Sequence, residues 1–198
     1  MRLIFLSLVL MLSSLSAIAS EKVLDSRGFY IGGQFGSANV DVDADGSSGS
    51  YSETVMGSAI YGGYNFNKVF GLEASMWMTG DLADDQSGIN ESGAVGFSIE
   101  PKFTFQVNRV VALYGKFGLT SIGYVEDPNG SRDENAWAGI GAGMSIGGQF
   151  SIVHGVRMRL NYAWSKASLD ADDGNDAFSE YDLDLTHKAF SIGAYYQF

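Results

Sequence analysis

Apolar and polar residues alternate along most of this chain with a period of two. In residues 71–80, GLEASMWMTG, every second position is apolar: Leu72, Ala74, Met76 and Met78. This period is typical of a β-strand with one face against an apolar phase. Eight segments share the pattern, which predicts strands over 28–40, 51–64, 69–80, 92–107, 110–125, 136–147, 155–168 and 186–198. The expected fold class is therefore all-β.

The connections between these segments alternate in length and charge. Residues 65–68 (NFNK), 108–109 (NR) and 147–154 (GGQFSIVH) are short or carry few charges. The other four connections hold 18 of the 23 acidic residues; they cover 41–50, 81–91, 126–135 and 169–185. Short turns at one end and long polar loops at the other are how bacterial transmembrane β-barrels are built. We therefore predict an eight-stranded, antiparallel, up-and-down transmembrane β-barrel.

The two faces of the predicted strands indicate which side is inside. One face is apolar and aromatic, as a surface in contact with lipid must be. The opposite face combines glycines with charged residues, among them Glu73, Glu100, Lys102, Lys116 and Arg159. An eight-stranded barrel has an interior only wide enough for side chains, and glycine leaves room for long ones. A soluble eight-stranded barrel or sandwich, with its apolar face inward, is the alternative.

The first residues have the composition of an export signal. Arg2 is followed by an apolar run and by the small-residue site Ala17-Ile18-Ala19. This pattern predicts a secretory signal peptide over 1–19 and a barrel domain over 20–198. A membrane-anchoring helix is the alternative, but the apolar run is shorter than the ~20 residues that a helical span needs.

Charge and cysteine content exclude two classes of function. Without Arg2 the chain has 11 basic and 23 acidic residues, a net charge of -12. Such a surface repels nucleic acid, so we exclude nucleic-acid partners. The chain has no cysteine, which excludes a disulfide framework and a thiolate metal site. We expect no cofactor.

Four segments carry a resemblance to a known family. They are GGYNFNKVFGLEASMWMTG (62–80), GFSIEPKFTFQVNRVVALYGKFG (96–118), RLNYAW (159–164) and SIGAYYQF (191–198). In order and spacing they resemble the family of the transmembrane domain of outer-membrane protein A and its small-barrel relatives. The resemblance covers essentially the whole chain after the signal peptide. It implies that the terminal aromatic Phe198 is the signal read by the barrel-assembly machinery.

The resemblance also implies an interior ion-pair site. In the family, an inward Glu at the position of Glu73 pairs with a Lys and an Arg, which by motif fall on Lys102 and Arg159. Exchange between the two partners is proposed there to gate a narrow ion path. The residues themselves support the pairing, because an unpaired carboxylate in a water-poor lumen is costly. A network that only fills the barrel is the alternative to a gate.

The chain departs from the family pattern at two positions. The family's second inward acid, on the sixth strand, is Ser145 here, so we expect Glu100 to supply the missing charge. Pro101 lies within the predicted fourth strand. Because proline lacks the N–H that a sheet ladder uses, Pro101 predicts a β-bulge.

An acidic motif in the first long connection resembles part of a calcium loop. Asp41, Asp43 and Asp45 have the spacing of its opening, but the twelfth position, where a bidentate acid is needed, is Ser52. These aspartates are weak metal candidates, and an acidic extracellular loop is the better interpretation. Unspecific attraction of divalent cations, shared with lipopolysaccharide phosphates, is expected at such a loop.

Few residues of the sequence are candidates for catalysis. The only histidines are His154, in a predicted turn, and His187, at the start of the last strand. Ser191 is four residues from His187, roughly 13 Å along a strand, so these two cannot form a dyad. A catalytic partner from a neighbouring strand or loop is the alternative, and it keeps open the hypothesis of a lipid-A-modifying enzyme.

The sequence thus favours a monomeric, non-enzymatic barrel of the bacterial outer membrane. Its partners would be outer-membrane lipid and lipopolysaccharide, the barrel-assembly machinery and an unknown extracellular ligand of the acidic loops. The expected role is structural or surface-interacting, with the lumen plugged by the internal charge network. A narrow gated channel for ions or small solutes is the first alternative.

Overall fold

The computed structural model describes residues 27–44, 50–80, 82, 89–128, 135–171 and 183–198. Its strands are β1 (Gly28–Ala44), β2 (Ser50–Asn65), β3 (Phe70–Thr79), β4 (Ile89–Gln106), β5 (Val111–Pro128), β6 (Asn135–Val153), β7 (Val156–Ala171) and β8 (Leu183–Gln197). They form a closed barrel in chain order, and each pairs with its neighbours antiparallel. The predicted fold class is confirmed. In the described part of the chain, no helix is long and apolar enough to cross a membrane.

The strands tilt around the barrel. Following directly paired residues once around from Tyr30 leads back to β1 at Val40, ten residues further along. Such a stagger is what closure of an eight-stranded barrel requires. The short connections at 66–69, 107–110 and 154–155 share one end, which we call the turn end. The opposite end, where the long connections leave the strands, is the loop end.

Side chains alternate between lipid and lumen as the period of two predicts. On β3, Leu72, Met76 and Met78 are exposed on the outer surface, whereas Glu73 and Trp77 are buried inside the barrel. The other strands carry exposed apolar side chains on the same outer surface, among them Phe29, Phe35, Phe97, Ile99, Phe105, Leu113, Phe117, Leu119, Ile140, Leu160 and Phe190. A continuous apolar outer surface is suited to lipid rather than water.

Two local expectations were wrong. β6 extends to Val153 rather than 147, because Gln149 and Phe150 continue the inside–outside alternation and pair with Arg159 and Met158. Pro101 causes no bulge, since residues on both sides of it keep one register against β5. The missing N–H interrupts the β4–β5 ladder without inserting a residue, and Pro101 still lies opposite Leu72 of β3.

Candidate functional site

The turn-end half of the lumen contains a buried ion-pair network around Glu73. Arg159 of β7 binds its carboxylate through two nitrogens, Nη2 to Oε2 at 2.6 Å and Nη1 to Oε1 at 3.0 Å. Lys116 of β5 donates to Oε1 at 2.8 Å, and the Tyr30 hydroxyl donates to Oε2 at 2.7 Å. Glu73 and Arg159 are each only 1% exposed. The carboxylate is therefore held by donors from three strands.

The register of β3 and β4 explains the position of Lys116. Glu73 and Glu100 are direct cross-strand partners, and two like charges in that arrangement repel. The Lys116 ammonium lies between them, 2.8 Å from Glu73 and 2.5 Å from Glu100. Lys116 thus compensates both acids, and Glu100 belongs to the network. We call Glu73, Glu100, Lys116 and Arg159 the charge network.

Lys102, which the family motif assigned as the lysine partner of Glu73, forms no ion pair among the described residues. Its Nζ lies 3.9 Å from the centre of the Tyr30 ring and has no hydrogen-bond partner there. The pairing of Glu73 with Lys102 is therefore wrong in this structure. The physical reason is that Arg159, Lys116 and the Tyr30 hydroxyl already occupy both carboxylate oxygens.

Aromatic side chains fix the guanidinium of Arg159. Its Cζ lies 4.2 Å from the ring centre of Tyr61 and 4.6 Å from that of Tyr114. The Tyr114 hydroxyl in turn donates to Asn161 at 2.6 Å. Cation–π contacts of this kind add to the ion pair when the site is desolvated. The Arg159 guanidinium is consequently held by aromatic rings as well as by the ion pair.

A cavity of about 60 Å³ lies inside the barrel next to the charge network. Glu73, Glu100 and Lys116 line one side of it, and Trp77 and His187 line another. Five inward-facing serines, each from a different strand, also line it: Ser75, Ser98, Ser145, Ser165 and Ser191. We call these five serines the hydroxyl ring. Ser145, where the family has an acid, thus contributes a small hydroxyl instead.

The loop-end half of the lumen is apolar, which the sequence analysis missed. Ten buried residues pack together there: Val40, Trp77, Leu82, Ala94, Ile122, Tyr124, Trp137, Ala167, Leu169 and Leu185. We call them the apolar plug. The signal was present in the alternation, because Val40, Ile122 and Leu169 share strand faces with inward residues such as Gln34, Lys116 and Arg159.

His187, which the sequence placed at the start of the last strand, lies buried inside the barrel. Its ring stacks on Trp77, with ring centres 3.9 Å apart and planes 5° apart. The neighbouring strand provides Ser165, whose Oγ is 3.4 Å from Nδ1 of His187, and both residues are buried. Ser191 is buried, and its hydroxyl has no hydrogen-bond partner among the residues that the structure describes. His154 lies in the β6–β7 turn.

The remaining predicted sites lie at the two ends. Asp41 accepts a hydrogen bond from Lys188 at 2.8 Å; Asp43 is exposed, and Asp45 lies outside the described residues. Across the described ranges, no group of three or more acids and histidines is placed to hold a metal ion. Phe198 is exposed, and its backbone N–H donates to the carbonyl of Phe29 at 2.9 Å.

Comparison with solved structures shows the same fold. Neisserial surface protein A is 15% identical, with a TM-score of 0.66 over 86% of this chain and 97% of that chain. The attachment invasion locus protein Ail of Yersinia pestis is 20% identical, with a TM-score of 0.53 over 87% and 99%. OprG of Pseudomonas aeruginosa is 13% identical, with a TM-score of 0.56 over 90% and 100%. At these identities the likeness concerns the fold alone.

No curated protein sequence matches the chain. The family model described as "Outer membrane protein beta-barrel domain" matches residues 5–198. This match extends over nearly the whole chain and agrees with the closed eight-stranded barrel and its apolar outer surface. The chain therefore belongs to the outer membrane protein β-barrel domain family, whose members reside in the bacterial outer membrane.

Proposed function

We propose that this barrel is a non-transporting outer-membrane protein with a structural and surface-interaction role. The observation that carries the proposal is the charge network, in which Glu73 is bound by Arg159 and Lys116 across the lumen. Side chains from β3, β4, β5 and β7 meet there and are almost fully buried. A lumen filled in this way supports the barrel and leaves no continuous water path.

We infer the orientation in the membrane from the two ends of the barrel. Both termini of the barrel lie at the turn end, where Tyr30 of β1 pairs with Gln197 of β8. In bacterial outer-membrane barrels the short turns face the periplasm and the long loops face outward. Accordingly, the loop end with its acidic connections is the surface on which an extracellular ligand or lipopolysaccharide would act. Phe198, at the turn end, is proposed as the assembly signal.

Wild-type protein, refolded and inserted into planar lipid bilayers, is expected to show no discrete conductance steps. The physical reason is that the ion pairs fill the turn-end half of the lumen. Insertion is checked independently, since a folded barrel migrates differently on a detergent gel before and after boiling. Reproducible steps from folded wild-type protein would reject the closed-lumen function.

A narrow gated channel is the second candidate, and one observation favours it. Glu73 has two cationic partners, and a third cation, Lys102, lies in the same half of the lumen with its Nζ free of hydrogen bonds within the described structure. Such a surplus of cations around one carboxylate would allow its partners to exchange. In that case wild-type bilayers would show brief, rare openings.

The proposal includes the absence of catalysis, and His187 is the residue that tests it. Its nearest hydroxyl, Ser165, lies with it inside the lumen, beside the apolar plug. We expect His187→Ala and Ser165→Ala to leave the lipid A mass spectrum of the host unchanged. A mass change on deletion of the protein that His187→Ala alone reproduces would identify a lipid-A-modifying enzyme. Ser98→Ala, also in the lumen, is the matched control.

A further inference from the structure

The lumen contains a second obstruction beyond the charge network. On the four strands that carry both, the residues of the apolar plug lie closer to the loop end than the charges do; for example, Trp77 follows Glu73 on β3, and Ile122 follows Lys116 on β5. Ile122, Leu169 and Leu185 have no exposed surface. Leu82, from the β3–β4 connection, also packs into the plug, and its N–H donates to the backbone carbonyl of Ser92 at 2.9 Å. Within the described ranges, the plug thus consists of strand residues and one residue of a connection, Leu82.

The two obstructions are separated by the 60 Å³ cavity. The charge network borders it toward the turn end, and the stacked Trp77 and His187 border it toward the loop end. Since Trp77 belongs to the apolar plug, the cavity lies between a polar and an apolar barrier. Neither barrier shares a residue with the other.

The cavity is built to hold water. Four buried polar atoms of its lining residues have no hydrogen-bond partner among the described residues: Gln34 Oε1, the Tyr61 hydroxyl, Ser145 Oγ and Ser191 Oγ. Buried polar groups are nearly always satisfied, by ordered water where the protein provides nothing. The volume accommodates on the order of five water molecules. The two carboxylates that line it, Glu73 and Glu100, are already bound by Lys116 and Arg159, so a neutral occupant fits better than an ion.

We propose that the hydroxyl ring binds a cluster of ordered water molecules and that the apolar plug is an independent barrier, in series with the charge network. The inference rests on the proposed closed lumen and goes beyond it by separating two barriers. An apolar constriction excludes ions because water does not wet it. Opening the charge network alone therefore connects the water cluster to the periplasmic side only.

The test compares four folded proteins in planar bilayers. They are wild type, a network variant (Glu73→Ser with Arg159→Ser), a plug variant (Leu169→Ser with Leu185→Ser) and the combination of all four substitutions. We expect discrete conductance steps only in the combined variant. Its channel openings should be at least tenfold more frequent than any events recorded with the other three proteins. Folding is verified for each by the migration shift on boiling.

A matched control distinguishes the effect of making the plug polar from a general disturbance of barrel packing. The network variant carrying Leu169→Met and Leu185→Met keeps the plug apolar and should stay closed. The inference is overturned if the network variant alone conducts, if the plug variant alone conducts, if the methionine control conducts like the serine version, or if the folded combination stays closed. Conductance of wild type would instead reject the proposed closed lumen itself.

Discussion

Replacing Glu73 with alanine is expected to lower the free energy of unfolding by about 3–5 kcal/mol, the usual cost of removing one partner from a buried ion pair. The substitution leaves Arg159, which is 1% exposed, without its carboxylate, while Lys116 keeps Glu100. Urea unfolding in lipid vesicles, followed by the fluorescence of the three tryptophans, measures the change. Adding Arg159→Ala should recover part of the loss, because the uncompensated charge is then removed.

Lys102→Met is the control for the Glu73 experiment. Lys102 is as buried as Glu73 but forms no ion pair with a described residue. Its removal should leave the free energy of unfolding unchanged or raise it, since an unpaired buried charge is unfavourable. If Lys102→Met destabilised the barrel as much as Glu73→Ala, the assignment of Lys116 rather than Lys102 as the lysine partner would be wrong.

The fold was predictable because lipid imposes one requirement on every strand. Each strand must present apolar side chains on one face and close its backbone ladder, so the period of two appears in all eight segments. Strand ends were predicted less well, and β6 shows why. Its polar residues Gln149 and Ser151 resemble a turn in composition, yet they continue the inward face of the strand. Alternation was the better guide there.

The sequence predicted which strand face each site residue occupies, but not which of these residues contact each other. The inside–outside alternation along the strands predicted inward side chains for Glu73, Glu100, Lys102 and Arg159. All four are buried in the barrel. Which lysine reaches Glu73 depends on stagger between strands and on the length of each side chain, and neither is readable from alternation. The apolar plug was missed for another reason: inward positions were expected to be polar or glycine, whereas a closed lumen also accepts leucine and isoleucine.

Gly141→Ala is expected to destabilise the barrel by at least the ~1–3 kcal/mol typical of overpacked sites. Gly141 faces the lumen on β6, opposite Ala167 of β7. A Cβ at this position would lie 1.9 Å from the carbonyl oxygen of Lys166 and 2.7 Å from the Cα of Ala167. Both are backbone atoms, so no side chain can rotate away and β7 itself must move. The urea midpoint and the fraction of protein that shows the migration shift measure the effect.

Gly115→Ala separates close packing from chain flexibility. Gly115 lies on the adjacent strand β5 and points toward lipid, and the nearest atom to an added Cβ is the Ser145 carbonyl oxygen at 4.0 Å. Both substitutions remove the same backbone freedom from the unfolded chain, but only Gly141→Ala creates a clash. Equal effects at the two sites would show that the lumen glycines are not required by strand approach. A large effect at Gly141 alone means that the inward glycines of β6 set how closely β6 and β7 pack, and thereby how narrow the lumen is.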